Sequence, residues 1–245
     1  MYCCCSIIKD AEPIVGPDAC LGHASCGAGV APSLARVTST FGKCMKTTPE
    51  ITIRPHVLED IERHHEAVAE SIEELSRWMP WCHAGYSIED SRGWIEARIK
   101  GFAAATDYTF AIVDRDNRVL GSCGLGHLDV RNLRANLGYW VRTSCLGRGV
   151  ATIAVRLVSD WTFANTEFQR LEIVTALGNT SSQRVAEKAG AVREGLLRSR
   201  LKLNGILHDA VMNSIIRPDS NRPIQSSDPT PASVTPSAGQ ESRPR

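Results

Sequence analysis

The sequence predicts an α+β domain built on a mainly antiparallel, twisted sheet, and three observations predict it. Two hairpins are written into the chain. Residues 108–113 and 119–128 flank Asp114-Arg115-Asp116-Asn117, and residues 191–203 and 206–215 flank Asn204-Gly205, the strongest short hairpin signal present. Between the hairpins, residues 135–142 (ANLGYWVR) read as a strand, rich in aromatic and branched residues, and lead through glycines into a helix. That helix carries Val150, Ile153, Ala154, Leu157, Val158 and Trp161 at spacings of three and four, which places them on one face.

The remaining elements follow in order. Residues 51–54 form a short strand, and residues 59–78 hold two short helices with His64 and His65 inside. Residues 88–101 are helical, opening near Ser87, a side chain suited to cap the first turn. After the first hairpin comes the strand, glycine turn and helix just described. A strand over residues 171–176 (LEIVTA) then leads to Asn179-Thr180-Ser181-Ser182, a helix through Val185, and a closing Gly190. No internal repeat is visible.

Composition bounds what surrounds this domain. The chain has 245 residues and a formal net charge of +1, so nothing points to a nucleic-acid or membrane surface. No apolar run approaches the roughly 20 residues of a spanning helix. Six of nine cysteines precede residue 45, and their spacing suggests neither a disulfide framework nor a metal site, so a reducing cytoplasm is the expected compartment. Residues 1–48, rich in Gly, Ala, Cys, Ser and Pro and without sustained periodicity, are expected to be a disordered extension, with Met45 a candidate natural start. The domain is expected over residues 49–217. From residue 218 to 245, six prolines among polar residues offer nothing to bury, so a solvated tail is expected.

Cys145-Leu146-Gly147-Arg148-Gly149-Val150-Ala151-Thr152 is the most informative stretch. Glycines let backbone approach a ligand closely, and the first helical turn leaves N–H groups unpaired with a partial positive charge. A strand, a glycine turn and a helix N-terminus together make a phosphate cradle.

Taken with the following strand and Asn179-Thr180-Ser181-Ser182, these pieces are similar to the GNAT acetyltransferases. The matched segments are LGYWV, LGRGVAT, NTSSQRVAEKAGA and REGLLR, and the resemblance covers roughly residues 50–217. Upstream, Leu75-Ser76-Arg77-Trp78-Met79-Pro80-Trp81 resembles the segment before the substrate loop in the branch that acetylates ribosomal-protein N-termini. The resemblance implies splayed central strands with acetyl-CoA between them and no metal. Trp140 and Val141 would offer backbone to pantetheine, and Leu146, Gly147, Gly149, Val150 and Ala151 would offer their N–H region to pyrophosphate. Arg148 could add a charge-assisted contact, although alone it reads equally as a solvated charge. Asn179 would bond pantetheine, and by its type it would also cap the following helix. Ser182 would supply a proton to the departing thiolate. The family often carries Gln or Arg where this chain has Ser144, which removes one side-chain contact but not the cradle.

A base is missing. Related sequences carry Glu before the LGYW element or on the later strand; here those places are Asn136 and Leu201, neither able to take a proton. His127 and Asp129, at the end of a strand heading toward the cleft, are the candidate substitutes, with His83 behind them. The absence bears on the acceptor. An α-amine has a pKa of about 7.7–8.0 and a lysine amine about 10.4, so near pH 7 roughly one α-amine in ten is neutral but fewer than about one lysine in a thousand. The expected acceptor is therefore a protein N-terminus, plausibly ribosomal. A small amine such as an antibiotic or polyamine, or a degenerate acetyl-CoA sensor, are the alternatives. The oligomeric state is open between monomer and homodimer.

Overall fold

The computed structural model describes residues 37–38 and 50–218. Its elements alternate as the pattern predicts: β1 (Val37–Thr38), β2 (Thr52–Pro55), α1 (Ile61–Ala69), α2 (Ile72–Ser76), α3 (Ile88–Ala103), β3 (Tyr108–Val113), β4 (Val119–Asp129), β5 (Arg134–Val141), α4 (Val150–Asn165), β6 (Arg170–Ala176), α5 (Thr180–Ala189), β7 (Val192–Leu203) and β8 (Ile206–Ile216). The proposed start at Met45 and the tail beyond residue 218 lie outside the described residues. So does the 1–48 extension, apart from Val37–Thr38. Those two residues pair with Ile53 and Thr52, whose backbone groups would otherwise form an open edge, so at this point the extension carries a strand where none was expected.

Local chemistry explains the boundaries. Ser87 accepts a bond from the Asp90 N–H while the Asp90 carboxylate accepts the Ser87 N–H, a reciprocal cap that starts α3. The β7–β8 turn takes positive φ at both Asn204 (49°) and Gly205 (83°), as a two-residue hairpin loop demands. Gly190, at φ 100°, ends α5 in the left-handed conformation.

The described strands form one sheet in the order β1-β2-β3-β4-β5-β6-β8-β7, and β5–β6 is its parallel pair. That pair decides the architecture. β5 and β6 are in register only at Arg134–Arg170, Ala135–Leu171 and Asn136–Glu172. Beyond Asn136, β5 stays paired with β4 up to Val141, and β6 stays paired with β8 up to Ala176. The sheet therefore opens into a cleft between residues 137–141 and 173–176.

Alternation along β5 sends its side chains to two different cores. Leu137, Tyr139 and Val141 pack with Val150, Ala154 and Val158 of α4 and Val185 of α5. Trp140 faces the other way, onto Ala67 and Val68 of α1, Leu75 of α2 and Met79 just after it. A third cluster, Val174, Ala176, Leu201, Leu203 and Ala210 with Trp78, closes the β6–β8–β7 side. Gly121 of β4 must lack a side chain, since a Cβ there would run into the Trp140 carbonyl.

Candidate active site

The cradle sits where β5 leaves the sheet. A single 3-10 turn, Thr143–Cys145, leads to Gly147 (φ 72°) and Gly149 (φ 83°), both left-handed, and α4 begins at Val150. The first bond closing at the helix start joins the Ile153 N–H to the Gly149 carbonyl, which leaves the N–H groups of the opening turn without helical partners. A Cβ on Gly147 or Gly149 would meet nothing within 4 Å, so the space in front of them is open. Arg148 is exposed between them.

The cradle is tied to the opposite face of the sheet. The Glu70 carboxylate, at the end of α1, accepts from the Ser144 N–H at 2.7 Å and from Arg142 Nε at 2.8 Å. The Ser71 hydroxyl accepts the Thr143 N–H at 2.9 Å. Arg142 is buried and also bonds Glu66 at 2.8 Å. Bonding to Arg142, aided by Ser144, holds the Glu70 carboxyl down at about 2. Ser144 thus keeps a role in the loop through its backbone.

Across the cleft, the Asn179 side chain accepts the Ser182 N–H at 3.1 Å and so caps α5, as its type predicts. Ser182 is fully buried. The Tyr139 hydroxyl donates to the Ser182 carbonyl at 3.0 Å and lies 2.9 Å from Ser182 Oγ. A phenol has one proton; with it on the carbonyl, Ser182 Oγ–H donates to Tyr139. This Tyr139–Ser182 bridge spans the opening between β5 and α5. Nothing local in the sequence marks Tyr139 for this contact, although strand alternation places it on the same face as Leu137 and Val141.

On the α1–α2 face a pocket reaches the same strands. Its lining includes Trp81, Trp94, Trp140, Ser122, His127 and Asn136, over a floor thinned by Gly124, Gly126 and Gly138. No carboxylate lines it. His127 belongs to this lining because β4 is irregular between Gly126 and Asp129 and His127 takes φ 48°, a bulge that re-aims its exposed side chain.

Asp129 is already engaged, which weakens it as a base. Its carboxylate accepts the Asn132 N–H at 3.0 Å, Asn132 Nδ2 at 2.7 Å and Arg134 Nε at 2.9 Å, and these bonds lower its pKa. His83 is exposed beside Tyr86 and outside the pocket lining. Leu201 is buried against Trp78 in the third cluster, and Asn136 lines the pocket at the point where β5 and β6 part.

The family model described as the acetyltransferase (GNAT) domain matches residues 50–192. The chain belongs to the GNAT acetyltransferase family. A Bacillus subtilis (strain 168) protein named "Putative ribosomal N-acetyltransferase YdaF" is 30% identical over 179 residues, covering 70% of this chain and 94% of that one. Among solved structures, the ribosomal L7/L12 α-N-protein acetyltransferase RimL in complex with coenzyme A superposes with TM-score 0.64 at 21% identity, covering 71% of this chain and 96% of that one. The microcin C7 self-immunity acetyltransferase MccE, in complex with acetyl-CoA and AMP, does so with TM-score 0.64 at 21% identity, covering 70% and 98%. These two show the shared fold. The GNAT domain here is an N-acetyltransferase, and its open cradle and parted strands fit a CoA thioester. Among the described residues, no helix is long and apolar enough to cross a membrane, and no cluster of three His, Cys, Asp or Glu side chains could hold a metal ion.

Proposed function

We propose that this protein moves an acetyl group from acetyl-CoA to the α-amine at a protein N-terminus, with a ribosomal protein as the acceptor class its relatives suggest. The observation that carries this reading is the pocket beside Trp140. It is lined by the stretch of β5 that has parted from β6, is walled by three tryptophans, and contains no carboxylate. A polyamine or an aminoglycoside-like cation would need negative charge to replace its hydration. A neutral terminal amine with a short first side chain needs only a hydrogen-bond partner and apolar walls.

When bound, acetyl-CoA brings an activated thioester. The N–H groups from Gly147 to Ala151, with Leu146 before them and Val150 in the first turn, would hold its pyrophosphate, and Arg148 would add charge. Backbone of Trp140 and Val141, exposed to the cleft by the loss of β6 pairing, would bind pantetheine together with Asn179. Ser182 Oγ–H would donate a hydrogen bond to the leaving sulfur and stabilise its negative charge, keeping its own proton, once it rotates away from Tyr139. His127, at the pocket rim, would pass the amine's proton to solvent after attack. Most of the acceleration is then positioning of an amine already partly neutral. The three cysteines of the domain, Cys82, Cys123 and Cys145, are buried free thiols, which suits the cytoplasm we propose for the reaction.

The test is thiol release from acetyl-CoA with a peptide panel. Peptides with a free Ser or Ala terminus should react at least about a hundredfold faster than the same peptides blocked there and offering only lysine, since the neutral fractions near pH 7 differ by more than that. The rate should rise with pH up to about 8, tracking the α-amine. Faster turnover of a polyamine or an internal lysine would replace this reading with the small-amine one.

A further inference from the structure

Behind the pocket wall lies a buried histidine pair to which the reaction above gives no task. His56 and His64 are 4% and 1% exposed. The Trp94 ring stacks on His64, with centroids 4.6 Å apart, and meets His56 edge-on at 5.0 Å, so neither imidazole is free to turn. His56 Nε2 lies 3.1 Å from the Ser122 hydroxyl, and that hydroxyl donates to the Phe110 carbonyl at 2.8 Å. Ser122 lines the pocket and stands opposite Trp140 in the β4–β5 register, within the stretch of β5 that has parted from β6.

The hydrogen-bond inventory of Ser122 is closed on one side and open on the other. A serine hydroxyl has one proton and two lone pairs. With the His56 proton on Nε2, the ring donates to Ser122, the Ser122 proton goes to Phe110, and one lone pair remains. With the His56 proton on Nδ1, facing the Asp60 carboxylate at 3.8 Å, Ser122 donates to Nε2 and both lone pairs remain. In either tautomer the only proton of Ser122 stays within the protein. Toward the pocket, Ser122 is an acceptor and never a donor.

We propose that Ser122, fixed by His56, accepts a hydrogen bond from an N–H of the incoming amine and thereby turns the amine's lone pair toward the donor cleft. The inference rests on the pocket being the acceptor site. A primary amine can give one N–H to Ser122 and still present its lone pair, whereas a carboxylate or carbonyl group finds no donor there. Burial holds the His56 ring neutral, its pKa pushed down to about 4, so the ring itself adds no positive charge behind Ser122. His56 acts as a positioning residue: its Nε2 settles where the Ser122 proton goes. The Asp60 carboxylate, held by both terminal nitrogens of Arg54 at 2.6 Å, lies 3.8 Å from Nδ1 on the far side of the ring, too far for a hydrogen bond.

Steady-state kinetics with a free-N-terminus peptide, alongside calorimetry of acetyl-CoA binding and thermal melts, test the proposal. Ser122→Ala should lower kcat/KM for the peptide about 10–100-fold and leave the acetyl-CoA Kd within about twofold. Ser122→Cys, close in shape but a poor acceptor, should lose activity in the same direction, which guards against a folding artefact in the first variant. His56→Gln offers an amide N–H near the place of Nε2 and should keep activity within about threefold, whereas His56→Leu should fall as far as Ser122→Ala. A folded Ser122→Ala enzyme with unchanged kcat/KM would overturn the proposal, as would His56→Gln as damaged as His56→Leu. A wild-type enzyme that acetylates no amine terminus would overturn the functional reading as well, so the two failures are told apart by the wild-type control.

Discussion

The proposed donor side and the proposed acceptor side of this enzyme are built from different materials. The cradle is made of backbone: two left-handed glycines, a helix start and strands that part after Asn136. The acceptor pocket is made of side chains brought from β3, β4, β5, α3 and the segment after α2. Backbone N–H groups bind any pyrophosphate alike and tolerate exchange of their side chains, while a side-chain pocket changes its ligand with each substitution. Damage on the first side should therefore abolish turnover for every acceptor, and damage on the second should alter which acceptor is used.

The largest effect should come from Gly149→Val. The added side chain strains a φ of 83° and projects into the space left for pyrophosphate, while meeting no protein atom within 4 Å. Acetyl-CoA affinity measured by calorimetry should fall at least about a hundredfold with folding retained. Unchanged affinity would move the cofactor elsewhere. Next comes Ser182→Ala, which should lower kcat about 10–1000-fold with little change in KM for acetyl-CoA, because a thiolate contact strengthens in the transition state. Equal rates would reduce Ser182 to a cap partner of Asn179. Tyr139→Phe sharpens the same point. It removes the phenol that occupies Ser182, and single-turnover rates should change by less than about tenfold if that bridge only parks the serine.

The backbone of the proposed donor side, like the β7–β8 turn, was legible in the sequence because its determinants are local. Gly147, Gly149, Asn179 and Asn204-Gly205 each announce a backbone state within a few residues, and the alternation of β5 gives its two faces. The acceptor side was legible only in part. The pattern Ser122-Cys123-Gly124-Leu125-Gly126 places small residues on one face of β4, where Gly126 leaves open space and Gly124 lets the β3 backbone come close, and His127 follows directly in the chain. Nothing local announces that His56, 66 positions earlier, reaches Ser122, or that Trp94 of α3 walls the pocket. Asp129 misled for the converse reason. A carboxylate near a cleft reads as a base until Asn132 and Arg134 fold back onto it.

The smallest predicted effect lies between the two sides, at Glu70. Its carboxyl is held at about 2 by Arg142 and Ser144, below its ordinary value, so the ionised form stabilises the fold above about pH 4.3. That contribution fades as pH falls from there toward 2. Glu70→Gln should cost no more than about 1 kcal/mol at pH 7, and the gap between it and the wild type in denaturant melts should close through that window. A gap independent of pH would mean that packing, and not charge, ties α1 to the cradle.

Because successive residues of β5 point to opposite faces, one strand keeps two separate sets of instructions. The side chains at positions 137, 139 and 141 pack with α4 and α5, and positions 136, 138 and 140 line the pocket proposed for the acceptor, which Tyr139 also borders. A lineage can therefore rewrite Asn136, Gly138 or Trp140 to adopt a new acceptor while the machinery for the old donor is inherited untouched. The reverse holds for length. Inserting or deleting one residue within this strand would exchange the two sets, so β5 can vary in letters but not in count.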